Sequence, residues 1–139
     1  MAPVHSSARA DARPVPEVVW QYAWLHRRFG PEALFTTDGH AIQVIHPGQW
    51  NHDAGPDFLQ AVVKLGELTF RGHVELHVAG SDWYAHGHHQ DPAYNAVILH
   101  VVAEASAKRP LREDGTPLPE CVVGNRVSDR LLARWYQLQ

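Results

Sequence analysis

The segment GHVELHV, residues 72–78, decides the fold because apolar and polar residues alternate along it without a break. Successive side chains of a β-strand point to opposite faces. Val74, Leu76 and Val78 therefore share one face, and His73, Glu75 and His77 share the other. The first face belongs in a core. The second lines up two imidazoles around a carboxylate, a pattern that a solvated edge strand does not require.

Upstream, Gly66-Glu67 is a tight turn that joins LQAVVKL (59–65) to LTFRGHVELHV (68–78). The pair reads as an antiparallel hairpin, with Gly72 marking a bulge. Before it, QWNHDAGPDF (49–58) is a polar loop without periodicity, and AIQVIHPG (41–48) alternates as a first strand. PEVVWQYAWLHRRF (16–29) opens on proline, closes on Arg27-Arg28 and is followed by Gly30, all helix signals. Downstream, Ser81 is placed to cap a short helix over DWYAHGHH, with Gly87 limiting its length. AVILHVV (96–102) is a continuous apolar run rich in β-branched residues, typical of a strand buried on both faces. A proline-rich connector, a short CVVG strand and a closing helix with Arg126, Arg130 and Arg134 complete the chain.

The order helix, three strands, helix, strand predicts an α/β fold with a mixed central sheet flanked by helices. Residues 1–15 read as a disordered leader and 16–139 as one domain, a size that suits a single core. The start carries no apolar signal segment, and no run approaches the roughly 20 apolar residues of a spanning helix. The single cysteine, Cys121, excludes an internal disulfide and a cysteine-based zinc site and fits a reducing, cytoplasmic setting. A net charge of −3 argues against a strongly basic nucleic-acid wrapper, though not against an enzyme touching a few phosphates. Histidine is the outlier: nine of the 11 lie between residues 40 and 100.

The 18-residue gap from Asp57 to Glu75 is long enough for a hairpin to bring the two carboxylates together. Two carboxylates at one point repel and raise a pKa unless a cation neutralises them, and a hard divalent ion is the usual solution. Pro56-Asp57 followed by Glu75-Leu76-His77, in this element order, resembles the PD-(D/E)XK nuclease superfamily. The resemblance implies a restriction-endonuclease-like αβββαβ core and metal-dependent hydrolysis of phosphodiester bonds in nucleic acid, with DNA favoured over RNA and both left open. It implies Asp57, Glu75 and the carbonyl of Leu76 as ligands of Mg²⁺ or Mn²⁺, with Glu17 as a weak match to the superfamily's helical acid. His77 stands where that superfamily has lysine; it is a base or an added ligand, or Lys64 substitutes, or the site is degenerate.

Residues 17 to 139 also resemble an uncharacterised bacterial family whose members are usually longer. The chain then corresponds to their N-terminal domain or to a short relative, with a partner domain or a homo-oligomer completing the surface. Asn51, His52, His73, His86, His88 and His89 are candidate pocket or phosphate contacts. The rival readings are a histidine-rich metalloprotein or other metallohydrolase binding Zn²⁺, and a catalytically inactive nuclease-fold interaction domain. His100 reads as a hydrogen-bonded core histidine, and Trp83 and Tyr84 as core.

Overall fold

The computed structural model describes residues 15–124, 126 and 129–138. The expected leader lies outside them except for Val15, as do residues 127, 128 and 139 of the closing helix. Among the described residues the order is α1 (Glu17–Leu25), β1 (Leu34–Phe35), β2 (Ala41–His46), β3 (Gln49–Trp50), β4 (Phe58–Leu65), β5 (Leu68–Ala79), α2 (Asp82–Ala85), β6 (Val97–Glu104), β7 (Glu120–Val122) and α3 (Asp129–Gln137). Two 3-10 turns, His88–Gln90 and Pro92–Tyr94, lie between α2 and β6.

The strands form one mixed sheet in the order β1-β2-β4-β5-β6-β7, with β3 also paired to β4. β2, β4 and β5 are antiparallel neighbours, whereas β5, β6 and β7 run parallel. A parallel pair needs a crossover, and α2 with its 3-10 turns supplies the one between β5 and β6. The result is an α/β fold with a mixed central sheet. No helix among the described residues is long and apolar enough to cross a membrane.

The core lies between the sheet and α1. Val19, Trp20, Ala23 and Trp24 of α1 meet Val74 and Leu76 of β5, Leu99 and Val101 of β6, and Leu132 of α3. A second cluster of Trp83, Tyr94, Val97 and Leu118 surrounds the crossover segment. β5 is therefore buried on both faces from Val74 to His77. Its polar face looks into protein, which removes the solvated-edge reading.

Several sequence expectations are revised. α1 stops at Leu25 because Arg27 adopts a left-handed φ of +53°, so Arg27 and Arg28 lie beyond its last turn. The loop before β4 contains a short strand, Gln49 pairing with Leu59 and Trp50 with Phe58. The helix over residues 82–89 contracts to a single turn, because Gly87 takes φ +72° and restarts the chain as a 3-10 turn. Ser81 precedes that turn without a side-chain cap.

The bulge falls on β4 rather than at Gly72. Phe58 pairs with Val74 and Ala61 with Gly72, leaving an extra β4 residue where Gln60 has φ +58°. Gly72 answers a different need. A Cβ there would run into Ile98 Cγ2 and the Ala96 carbonyl oxygen, so glycine lets the start of β6 close on β5.

Candidate functional site

The site forms where β4 parts from β5. Just before Phe58, the side chain of Asp57 takes over the pairing, and the Leu76 N–H donates to Asp57 Oδ2 (2.8 Å). The Asp57 N–H donates to Glu75 Oε1 (3.0 Å), and Gln21 Nε2 of α1 donates to Asp57 Oδ1 (3.0 Å). Asn51 holds the approach: its N–H donates to the Asp57 carbonyl (2.8 Å), and its Nδ2 donates to the carbonyls of Ala54 (3.0 Å) and Pro56 (2.9 Å).

Burial and mutual repulsion keep these acids from ionising. The Asp57 carboxyl is pushed up to about 7, first by burial and then by the charge of Glu75. Burial pushes Glu75 up to about 8. Glu17, at the start of α1, is raised by burial and by Asp57 and Asp82. Three carboxyls from α1, the β4 entrance and β5 thus adjoin, Glu75 buried and Asp57 and Glu17 half-buried, and a nearby cation is what would let them ionise together.

The imidazoles adjoin them. His77 Nε2 lies 3.2 Å and His88 Nε2 3.1 Å from Glu75 Oε2. The His88 contact lacks hydrogen-bond directionality, and both of that ring's nitrogens are buried without a hydrogen-bond partner. One ring nitrogen each from His77, His86 and His88 lie within 4.8 Å of one another, an arrangement able to hold a metal ion. The crossover puts them there: Tyr94 stacks on His88 at 3.7 Å between centroids, and Trp83 lies edge-on to it at 5.3 Å.

Behind His77 a polar chain runs across the parallel strands. His77 Nδ1 is 2.8 Å from His100 Nε2, and His100 Nδ1 is 2.9 Å from Glu120 Oε2. Register explains it, since Glu75 pairs with His100 and His100 with Glu120. With the Glu120 carboxylate accepting from His100 Nδ1–H, His100 Nε2 accepts from His77 Nδ1–H, and His77 Nε2 is left as a bare lone pair. Burial, followed by the neighbouring imidazoles, lowers the His77 pKa to about 2. Such a ring stays neutral, with its Nε2 lone pair unprotonated.

The expected site residues therefore divide. Asp57, Glu75, His77 and His88 come together, and His86 lies against His77 and His88. Leu76 meets Asp57 through its N–H. Lys64 does not approach: it pairs with Thr69 near the hairpin turn, seven strand residues or roughly 23 Å from Asp57. His73 Nδ1 accepts from the Gln60 N–H (3.2 Å) and braces the bulge. The exposed His52 ring lies 5.0 Å from Trp50, and His89 lies 4.8 Å from Tyr84. Asn51 orders the loop. Gln21 and the partnership of His100 with Glu120 were not legible in the sequence, because register brings together residues far apart in the chain.

The arginines of the closing segment also divide. Arg126 donates to the carbonyls of Glu32 and Ala33 (both 3.1 Å). Arg130 and Arg134 line a groove of about 480 Å³ with Tyr22, His26, Arg27 and Arg28.

No curated protein and no solved structure matches the chain. Residues 17–139 match the family model described as "Protein of unknown function (DUF2851)", and the chain belongs to that family.

Proposed function

We propose that this domain is a divalent-metal-dependent phosphodiester hydrolase acting on nucleic acid, with DNA the favoured substrate and a restriction-endonuclease-like core. The observation that carries the reading is the meeting of Asp57 and Glu75 at the fork between β4 and β5. Neither carboxyl ionises easily in that dry setting, so the pair calls for a cation. The reading is supported by α1, β2, β4, β5, α2 and β6 following an αβββαβ order once the two-residue strands β1 and β3 are set aside, with Glu17 beside Asp57.

A bound divalent ion supplies Lewis-acid stabilisation of charge on a phosphoryl group and lowers the pKa of an attacking water. Asp57 and Glu75 would hold it. Gln21 and the Leu76 N–H fix the Asp57 carboxylate, and the Asp57 N–H fixes that of Glu75. The groove lined by Arg27, Arg28, Arg130 and Arg134 offers positive charge to a phosphate backbone. His26 lies roughly 14 Å along α1 from Glu17, by helix rise.

The test is cleavage of single-stranded, duplex and branched DNA and of RNA with Mg²⁺ or Mn²⁺, beside Asp57→Asn and Glu75→Ala. Cleavage by the parent that both variants lose by at least 100-fold supports the reading. A parent inert on every substrate, or cleavage that survives both substitutions, defeats it. The second reading, a metallohydrolase of another class, draws on the imidazoles of His77, His86 and His88.

A further inference from the structure

We infer that one ring nitrogen each of His77, His86 and His88 forms a site for one transition cation of the zinc and cobalt class, with Glu75 Oε2 beside His77 and His88 and with His100 and Glu120 as the residues that position His77. The inference goes beyond the proposed hydrolytic site: it adjoins that site at Glu75, but its donors are imidazoles and Asp57 is not among them.

The first argument is distance. In four-coordinate zinc sites ligand bonds of roughly 2.0–2.1 Å place neighbouring donor atoms about 3.3 Å apart. Glu75 Oε2 lies 3.2 Å from His77 Nε2 and 3.1 Å from His88 Nε2, close to two of the six edges of such a tetrahedron, and the ring nitrogens of His77, His86 and His88 lie within 4.8 Å of one another.

The second is direction. The His88 nitrogen approaches the carboxylate closely without aiming an N–H at it, and neither His88 nitrogen has a hydrogen-bond partner. Only 7% of this residue is exposed. A buried imidazole normally finds a partner. Lone pairs converging on a common point account for both the closeness and the absence of a hydrogen bond.

The third is the chain behind His77. Ligating histidines characteristically donate their second N–H to a carboxylate or another acceptor, which fixes the tautomer and the ring plane. Here, with the Glu120 carboxylate accepting from His100 Nδ1–H, His77 Nδ1–H is the donor to His100 Nε2. The whole chain is buried: His77 is 2%, His100 0% and Glu120 5% exposed. Backbone fixes it further, since the His100 N–H donates to the Pro119 carbonyl (2.9 Å) beside Glu120.

Donor chemistry then selects the ion. Imidazole nitrogen suits zinc, copper, iron and nickel, with cobalt a spectroscopic stand-in for zinc, whereas Mg²⁺, Ca²⁺ and Mn²⁺ favour oxygen donors. Three imidazoles with one carboxylate oxygen favour the first group.

The experiment titrates the full chain, stripped with chelator, with Co²⁺ and follows the ligand-field absorption of the bound ion. Zn²⁺ and Mg²⁺ are then added as competitors. The expected result is one equivalent of Co²⁺ in a site of low coordination number, displaced by Zn²⁺ and not by Mg²⁺ at equal concentration. His88→Ala lowers Co²⁺ affinity at least 100-fold. His86→Ala, at an exposed ring whose removal leaves the core intact, weakens binding and alters the spectrum. Glu120→Gln, distant from the ion, weakens binding by about 10–100-fold, and His40→Ala leaves it unchanged. Melting curves of each metal-free variant separate loss of a ligand from loss of the fold.

Stoichiometric binding that survives both His88→Ala and His86→Ala overturns the inference. So does the absence of Co²⁺ binding by folded parent protein, or displacement by Mg²⁺ on equal terms. Asp57→Asn separates the two readings: an unchanged cobalt spectrum in a protein that cleaves nothing, variant or parent, defeats the hydrolase reading and leaves the metal site standing.

Discussion

Glu75→Gln should stabilise the metal-free protein, and more so as the pH rises. Burial lifts the Glu75 carboxyl from an ordinary 4.5 to about 8. The folded protein therefore holds a proton there that the unfolded chain has released, across the interval between those values. Stability falls with pH wherever the native state binds more protons. The contribution of this group is intact below 4.5 and is lost as the pH climbs toward 8. At pH 8 the difference, at 1.36 kcal/mol per pH unit, reaches on the order of 4 kcal/mol. Asp57 titrates beside it and shares that penalty, so about 2 kcal/mol is the expected gain from removing one of two interacting charges. Glutamine retains an oxygen to accept the Asp57 N–H and turns an NH₂ toward the bare His77 nitrogen. In chelator, thermal or urea unfolding should show parent and variant nearly equal at pH 5. At pH 8 the variant should melt roughly 5–8 °C higher. Saturating Zn²⁺ should reverse the order, because a ligand that binds only the folded state adds about 2.7 kcal/mol at one hundred times its dissociation constant. A gap that stays constant with pH, or widens toward acid, would refute the account of Glu75 as a carboxyl held out of water.

Gly72→Ala should destabilise the fold by more than about 2 kcal/mol in urea, because an added Cβ meets Ile98 and the Ala96 carbonyl where β6 closes on β5. Arg112 donates to the carbonyls of Val97 and Pro117 and to Thr116 Oγ1. Arg112→Ala should therefore cost about 1–3 kcal/mol and raise amide hydrogen exchange through residues 110–120. Trp83→Phe removes the indole N–H donated to the Leu111 carbonyl (2.8 Å) and one wall of the His88 pocket. It should lower stability by roughly 2 kcal/mol and weaken Co²⁺ binding. Cys121 is 1% exposed and its thiol is pushed up to about 11 by burial; it should resist thiol reagents at pH 8 in the native protein and react fully in denaturant.

What the sequence made legible follows its local periodicities. The alternation in GHVELHV and the Gly66-Glu67 turn were enough to establish the hairpin and the faces of β5. That in turn brought Asp57 to within one residue of Glu75, and the β4 bulge supplied the last step. The unbroken apolar run of β6 signalled a strand covered on both sides, and Val97–Ala103 is buried apart from the half-buried Ile98. Local pattern misled where a single backbone dihedral overrode it, as at Arg27 and Gly87. It also misled where one residue type serves two purposes. Gly72 resembled a bulge because glycine in a strand marks either a bulge or a close approach, and which of them applies depends on a strand that arrives some 25 residues later.

The deeper limit lies in the parallel half of the sheet. An antiparallel hairpin writes its register into the turn that joins its strands, so counting from that turn brings Asp57 opposite Leu76, and the extra residue at the β4 bulge shifts it by one to Glu75. Parallel strands are joined through a crossover, and their register is set by packing on both faces. Glu75, His100 and Glu120 line up across β5, β6 and β7 only because Val74, Leu99 and Cys121 pack on the α1 side while Trp83 and Tyr94 fill the other. A histidine inside AVILHVV reads alone as a core residue with a hydrogen-bond partner, and that reading is correct as far as it goes. Its consequence appears when the partners are named. One side of His100 meets the acid that fixes its proton, and the other meets the ring whose free nitrogen faces Glu75. Both arrangements depend on the same strand register, so a substitution that shifts β7 by one residue would turn Glu120 to the opposite face. His77 would then lose its fixed tautomer with no residue of the site itself having been changed.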